Sequence, residues 1–184
     1  MNVGLFLGDI CQAPADVICT STNPHLDLMI GTGGAVRSAG GWAIQEECYK
    51  KIREKSNSPD LTFLEPGQAV VTGAGDLPFK GVIHCVAIDS FHNSSAEVIR
   101  LCVSNALAEF VQIPDAHTIA FPVFAAGNGQ FDFSASLTEI CRTLKANWPE
   151  QLQEAWFTVY EDFHRRDAEE VIARELGEFQ VIVS

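Results

Sequence analysis

Long apolar runs are missing from this chain. No stretch approaches the roughly 20 apolar residues that a membrane helix needs, so a membrane-spanning role is not expected. The opening residues, Met1-Asn2-Val3-Gly4-Leu5-Phe6-Leu7-Gly8-Asp9, carry no basic region and no cleavage site. They read as a first strand and not as a signal peptide. Positive charge is scarce: 12 Lys and Arg stand against 24 Asp and Glu, a net charge of −12. That argues against a bulk grip on nucleic acid, which takes clustered basic side chains. A phosphate ligand would have to be held by backbone amides and helix dipoles. The six cysteines, Cys11, Cys19, Cys48, Cys85, Cys102 and Cys141, form no Cys-x-x-Cys pair, and no His pair has zinc spacing. No metal site and no cofactor is expected, and the thiols read as reduced, in a cytoplasmic chain. Internal repeats, low-complexity segments and linkers are absent as well.

What remains is 184 residues, 47% hydrophobic and 20% charged. This suits one globular domain over residues 1–184. Short β-branched and aromatic runs predict strands over Val3–Leu7, Val17–Thr20, Gln68–Thr72, Val82–Ala87, Thr118–Pro122 and Trp156–Tyr160. Helices are expected over Gly34–Lys55 with a break at Gly40-Gly41, and over Ala96–Val111, Ser134–Ala146 and Asp167–Leu176. Asp132 and Ser134 are both good N-caps for the third of these. The tail Phe179–Val183 reads as an edge strand or a frayed end. Strands alternating with helices indicate an α/β layer fold with a largely parallel sheet. In such sheets ligands bind beyond the carboxyl ends of the strands.

Four loops stand out there. Gly8-Asp9-Ile10 follows the first strand. Asn23 to Gly34 follows the second and is rich in glycine before a helix. Ala125 to Phe131 follows Thr118–Pro122 and is glycine-rich too. Tyr160-Glu161-Asp162-Phe163 follows the last long strand. A glycine-rich turn feeding a helix N-terminus is a ready anion site. Two of them facing one another could clamp a diphosphate. The acid and the aromatic ring of the other two suit recognition of a base.

The stretch Gly67-Gln68-Ala69-Val70-Val71-Thr72-Gly73-Ala74-Gly75-Asp76-Leu77-Pro78, followed by Val82-Ile83-His84-Cys85-Val86, resembles the macrodomain family in type and spacing. Asp16-Val17-Ile18, Asn23, Gly33-Gly34-Ala35-Val36 and Ala39-Gly40-Gly41 are similar to that family's first site loop. Phe121-Pro122 with Gly127 to Phe131 is similar to its second. The resemblance covers nearly the whole chain. It implies a three-layer α/β/α sandwich around a mixed, mostly parallel sheet of six or seven strands. It also implies a cleft for ADP-ribose or an ADP-ribosylated protein. Carried over position by position, Asp9 accepts from the adenine amino group and the backbone of Ile10 meets the ring edge. Tyr160 lies against adenine. Gly31, Gly33, Gly34 and Ala35, with Ala126, Gly127, Asn128 and Gly129, surround the diphosphate. Asn23 reaches the distal ribose and Phe131 packs on it.

One departure bears on chemistry. Hydrolases of the family commonly hold an acid ten residues after the position of Asn23, and Gly33 stands there. The loop therefore resembles that of reader macrodomains, and binding is expected to outlast turnover. The other reading is an ADP-ribosyl hydrolase with a different base. Asn23, Asp27 and Asp132 are its candidate catalytic residues, with His25 a further loop group. His84, inside an apolar strand run, reads as structural.

Overall fold

The computed structural model describes residues 1–55, 62–127 and 129–184. Seven strands form one sheet: β1 Asn2–Leu7, β2 Val17–Thr22, β3 Ala69–Thr72, β4 Gly81–Val86, β5 Thr118–Pro122, β6 Glu154–Val159 and β7 Gln180–Val183. Their order across the sheet is β3-β4-β2-β5-β6-β1-β7. Every pairing is parallel except β3 with β4. Among the described residues, five α-helices flank the sheet: α1 Gly31–Gly40, α2 Trp42–Lys55, α3 Ala96–Phe110, α4 Phe133–Ala146 and α5 Arg165–Leu176.

Strand alternation assigns the layers. Side chains two apart share a face of a strand. Val17, Cys19, Ile83, Cys85, Ile119, Phe121, Ala155 and Phe157 pack with buried residues of α3, α4 and α5. Their neighbours Ile18, Val82, Ala120 and Trp156 pack on the other face with Val36 of α1 and Ile44, Cys48 and Ile52 of α2. The sheet is thus sandwiched between helices on both sides, the arrangement that β-α-β connections impose on parallel strands.

The expected break at Gly40-Gly41 is present. Gly41 has φ 91°, a left-handed conformation that ends α1 and lets α2 start at Trp42. The helix starts differ in kind. Ser95 Oγ accepts from the Val98 amide at α3, and Asp132 Oδ1 accepts from the Ala135 amide at 2.7 Å at α4. At α1 the N-cap is Ile30, whose side chain can accept nothing. The tail forms a true edge strand. It ends with the Ser184 amide bonded to the Leu7 carbonyl, and a Cβ on Gly8 would overlap Ser184 Oγ.

Two polar clusters pin the strands. Asp16 Oδ2 accepts from the amides of His117 and Thr118, while its Oδ1 meets Lys80 Nζ at 2.8 Å. It ties the N-terminal ends of β2, β4 and β5 together. Partial burial acts to raise its pKa, but the Lys80 bond and the two amides outweigh that and hold it below the usual carboxylate value. His84 is fully buried. Its Nδ1 lies 2.9 Å from Thr20 Oγ1 on β2, and its Nε2 lies 2.9 Å from Thr72 Oγ1 on β3. The Thr72 hydroxyl already donates to the Gly73 carbonyl, so it accepts from Nε2–H. Nδ1 is then the acceptor, and Thr20 donates to it. One neutral tautomer satisfies all three groups.

Candidate functional site

A cleft of about 550 Å³ opens at the carboxyl ends of the parallel strands. The sheet order lays out its contents. At one end, following β1 and β6, lie Asp9, Ile10, Tyr160, Glu161, Phe163 and His164. In the middle, following β2 and β5, lie Gly31, Thr32 and Ala35 opposite Ala126, Gly127 and Gly129. At the far end lie Asn23, Asp27, Ile88 and His92.

Asp9 holds a short helical turn by accepting the Cys11 amide on Oδ1 at 2.9 Å. The Cys11 thiol beside it is pushed up to about 12, by burial first and then by the Asp9 charge. It is a neutral packing group at physiological pH. Tyr160 and Phe163 are exposed. His164 stacks flat on Phe133, with ring centroids 4.0 Å apart. The far wall of this end is therefore aromatic.

The loop after β2 is built by its own side chains. Asn23 Oδ1 accepts from the amides of His25 and Asp27, and its Nδ2 faces the Asp27 carbonyl at 3.4 Å. Gln45 of α2, almost fully buried, accepts from the Leu28 amide and donates to the Leu26 carbonyl. This anchors the segment from Leu26 to Leu28 on α2. Leu28 is buried, while Met29 and Ile30 are exposed. Because Ile30 offers no side-chain cap, the first-turn amides of α1 are left for whatever enters the cleft. Asp27 lines the cleft, and its Oδ1 accepts from the Tyr49 hydroxyl at 3.0 Å. Burial and the Asp27 carboxylate both raise the Tyr49 pKa, so the phenol keeps its proton.

The loop after β5 turns sharply, with left-handed backbone at Ala125 and Gln130. The Phe131 amide closes it on the Ala125 carbonyl. At Gly127 a Cβ would meet nothing within 4 Å, whereas at Gly129 it would collide with Ile88.

The cleft thus gathers Asp9, Ile10, Asn23, Asp27, Gly31, Ala35, Ala126, Gly127, Gly129 and Tyr160. Five other expected residues do not line it. A Cβ on Gly33 would point at Leu28, 3.1 Å from Cδ2, and one on Gly34 would meet the Met29 carbonyl. An acid at position 33 would therefore be aimed into the apolar packing. Phe131 and Phe133 both pack against the core, and of the two Phe133 also lines the cleft. Asp132 is committed to capping α4. His25 also lies off the cleft, with Nδ1 on the Thr62 carbonyl. Asn128 lies outside the described residues. Sequence reasoning missed His92, Phe133 and His164. For His92 a signal was available: it follows a parallel strand on the side where ligands bind.

Among the described residues, no group of three or more His, Cys, Asp or Glu could hold a metal ion, and no helix is long and apolar enough to cross a membrane. Comparison with known proteins agrees with the geometry. The Macro domain family matches residues 19–140. The O-acetyl-ADP-ribose deacetylase of Escherichia fergusonii is 30% identical over 173 residues, covering 90% of this chain and 92% of that one. A variant of the Oceanobacillus iheyensis macrodomain with ADPR superposes with a TM-score of 0.81 at 20% identity, covering 95% of this chain and 93% of that one. The Trypanosoma brucei macrodomain in complex with ADP-ribose gives 0.77 at 16% identity, covering 93% and 69%. The chain belongs to the macro domain family.

Proposed function

We propose that the cleft binds ADP-ribose, free or attached to a protein side chain. The observation that carries this reading is the uncapped first turn of α1 facing the Ala126–Gly127 turn across the middle of the cleft. A diphosphate between them meets backbone amides and a helix dipole, the grip expected of a chain so poor in basic residues. Asp9 takes the adenine amino group, the backbone of Ile10 meets the ring edge, and Tyr160 covers the base. Asn23 reaches the distal ribose. The bound ADPR and ADP-ribose of the two structural neighbours support this assignment. Titration calorimetry tests it: ADP-ribose should bind one to one and more tightly than AMP, and the absence of any heat of binding would refute it.

Hydrolysis at the distal ribose is the second reading. It is supported by Asp27, which lines the cleft near Asn23, and by the name of the deacetylase relative.

A further inference from the structure

We propose that His92 is the general base that hydrolyses an acyl ester on the distal ribose, an inference that rests on the ADP-ribose reading of the cleft. The argument begins with place. From β1 to β4 the sheet advances four strand spacings, about 19 Å at ~4.8 Å each. A ligand whose base sits at the β1 and β6 ends lays its other end toward β4. His92 lies on the loop that follows β4 and lines the cleft there.

That loop is firmly built. Asp89 Oδ1 accepts from the amides of Phe91 and Asn93, both at 2.8 Å. The Asp89 amide donates to the Asn93 carbonyl and the His92 amide to the Asp89 carbonyl. Ser94 Oγ donates to the Ala87 carbonyl at 2.7 Å. His92 itself adopts φ 65°, so its ring is presented from a fixed and unusual backbone.

Its imidazole is the least engaged of the five, with an electrostatic interaction with Asp89 of its own loop. His25 and His117 are on carbonyls and His84 is between two threonines. His164 is stacked on Phe133, with Asp167 at 4.0 Å. The His92 ring makes no hydrogen bond among the described residues. Among the acids, Asp132 caps α4 and lies off the cleft, and Asp9 is at the other end; Asp27 lines the cleft with Oδ1 on the Tyr49 hydroxyl, so the His92 variants are read beside Asp27→Ala.

Imidazole fits ester hydrolysis better than cleavage of the glycosidic bond, whose oxocarbenium-like transition state calls for a carboxylate beside the anomeric carbon. In the proposed step, neutral His92 takes a proton from water as the water oxygen bonds to the ester carbonyl carbon. The tetrahedral adduct collapses by breaking the bond to the ribose oxygen. That oxygen recovers the proton from the imidazolium. The products are ADP-ribose and a carboxylic acid, which loses its proton to solvent at neutral pH.

The test uses the whole chain with O-acetyl-ADP-ribose, following acetate release, and ADP-ribose calorimetry in parallel. H92N tolerates the left-handed backbone but cannot take a proton, and H92G tolerates it and leaves a space for added imidazole. Both should lose 10²–10⁴-fold in rate while ADP-ribose affinity changes less than about tenfold, and free imidazole should revive H92G. Wild-type rates in H92N, or a wild-type chain that releases no acetate, overturn the proposal. If that inactive wild type still binds ADP-ribose, the binding reading stands. Loss of ADP-ribose binding in folded variants would overturn the base role and make His92 a binding group.

Discussion

Acid should unfold this protein partly through one buried histidine. His84 is fully enclosed and hydrogen-bonded as a neutral ring, and burial pushes its pKa from 6.5 down to about 3. In the unfolded chain it titrates normally. As pH falls below 6.5, the unfolded state takes up a proton that the folded state refuses, so the stability present above 6.5 is lost until pH reaches about 3. At pH 5 the loss from this ring alone is about 2 kcal/mol, since each unit of separation is worth ~1.4 kcal/mol. Urea melts of wild type and His84→Gln between pH 7.5 and 5 provide the assay. The variant will be less stable at neutral pH, because Gln cannot reproduce the bridge from Thr20 to Thr72. Its stability should nevertheless fall by about 2 kcal/mol less than that of wild type across the same range. If the variant does not fold, imidazole NMR on the wild type serves: the His84 ring signals should not titrate above pH 5 in the folded protein. Parallel pH slopes, or a ring that titrates near 6.5 while folded, would refute the reasoning.

Asp9→Asn keeps an oxygen for the Cys11 amide and removes the charge, so it should fold normally and weaken ADP-ribose by roughly 1.5–3 kcal/mol, as for a hydrogen bond to a charged group; unchanged affinity by calorimetry removes Asp9 from the base contact. Gly127→Glu has open space for its side chain, so the melting curve should hardly move. The carboxylate nevertheless faces the diphosphate, and repulsion of ~1–4 kcal/mol per charge at 4 Å should abolish measurable binding; tight binding would show that this turn does not touch the phosphates. Gly33→Asp should not introduce a catalytic base, because its Cβ is aimed at Leu28. A gain in acetate release from this variant would show that α1 presents position 33 to the cleft.

Much of the fold was legible because alternation and glycine breaks are local signals. Thr118–Pro122 forms a strand with the expected ends, and α1 and α2 part at Gly40-Gly41. The start of α1 was placed three residues late, at Gly34 rather than Gly31, because Ile30 is an N-cap that no capping preference would select. Phe131 was placed on the ribose by the resemblance alone, and Phe133, two residues on, is the one that lines the cleft. Asp132 was read both as a cap and as a catalytic candidate; its bond to the Ala135 amide takes the first role. Gly33 was matched to the acid position by counting along the chain, but only the phase of the helix shows where a side chain there would point. His92 was open to notice as a residue following a parallel strand, but its distance from the base end depends on strand order, which no single strand encodes.

The meeting of Ser184 with Gly8 couples the edge of the sheet to the base end of the cleft. A Cβ on Gly8 would overlap Ser184 Oγ, and Gly8 is one residue from Asp9. A substitution at either position therefore reaches the base end without touching a ligand. A fall in nucleotide affinity in such a variant reports a displaced edge strand, not a lost contact.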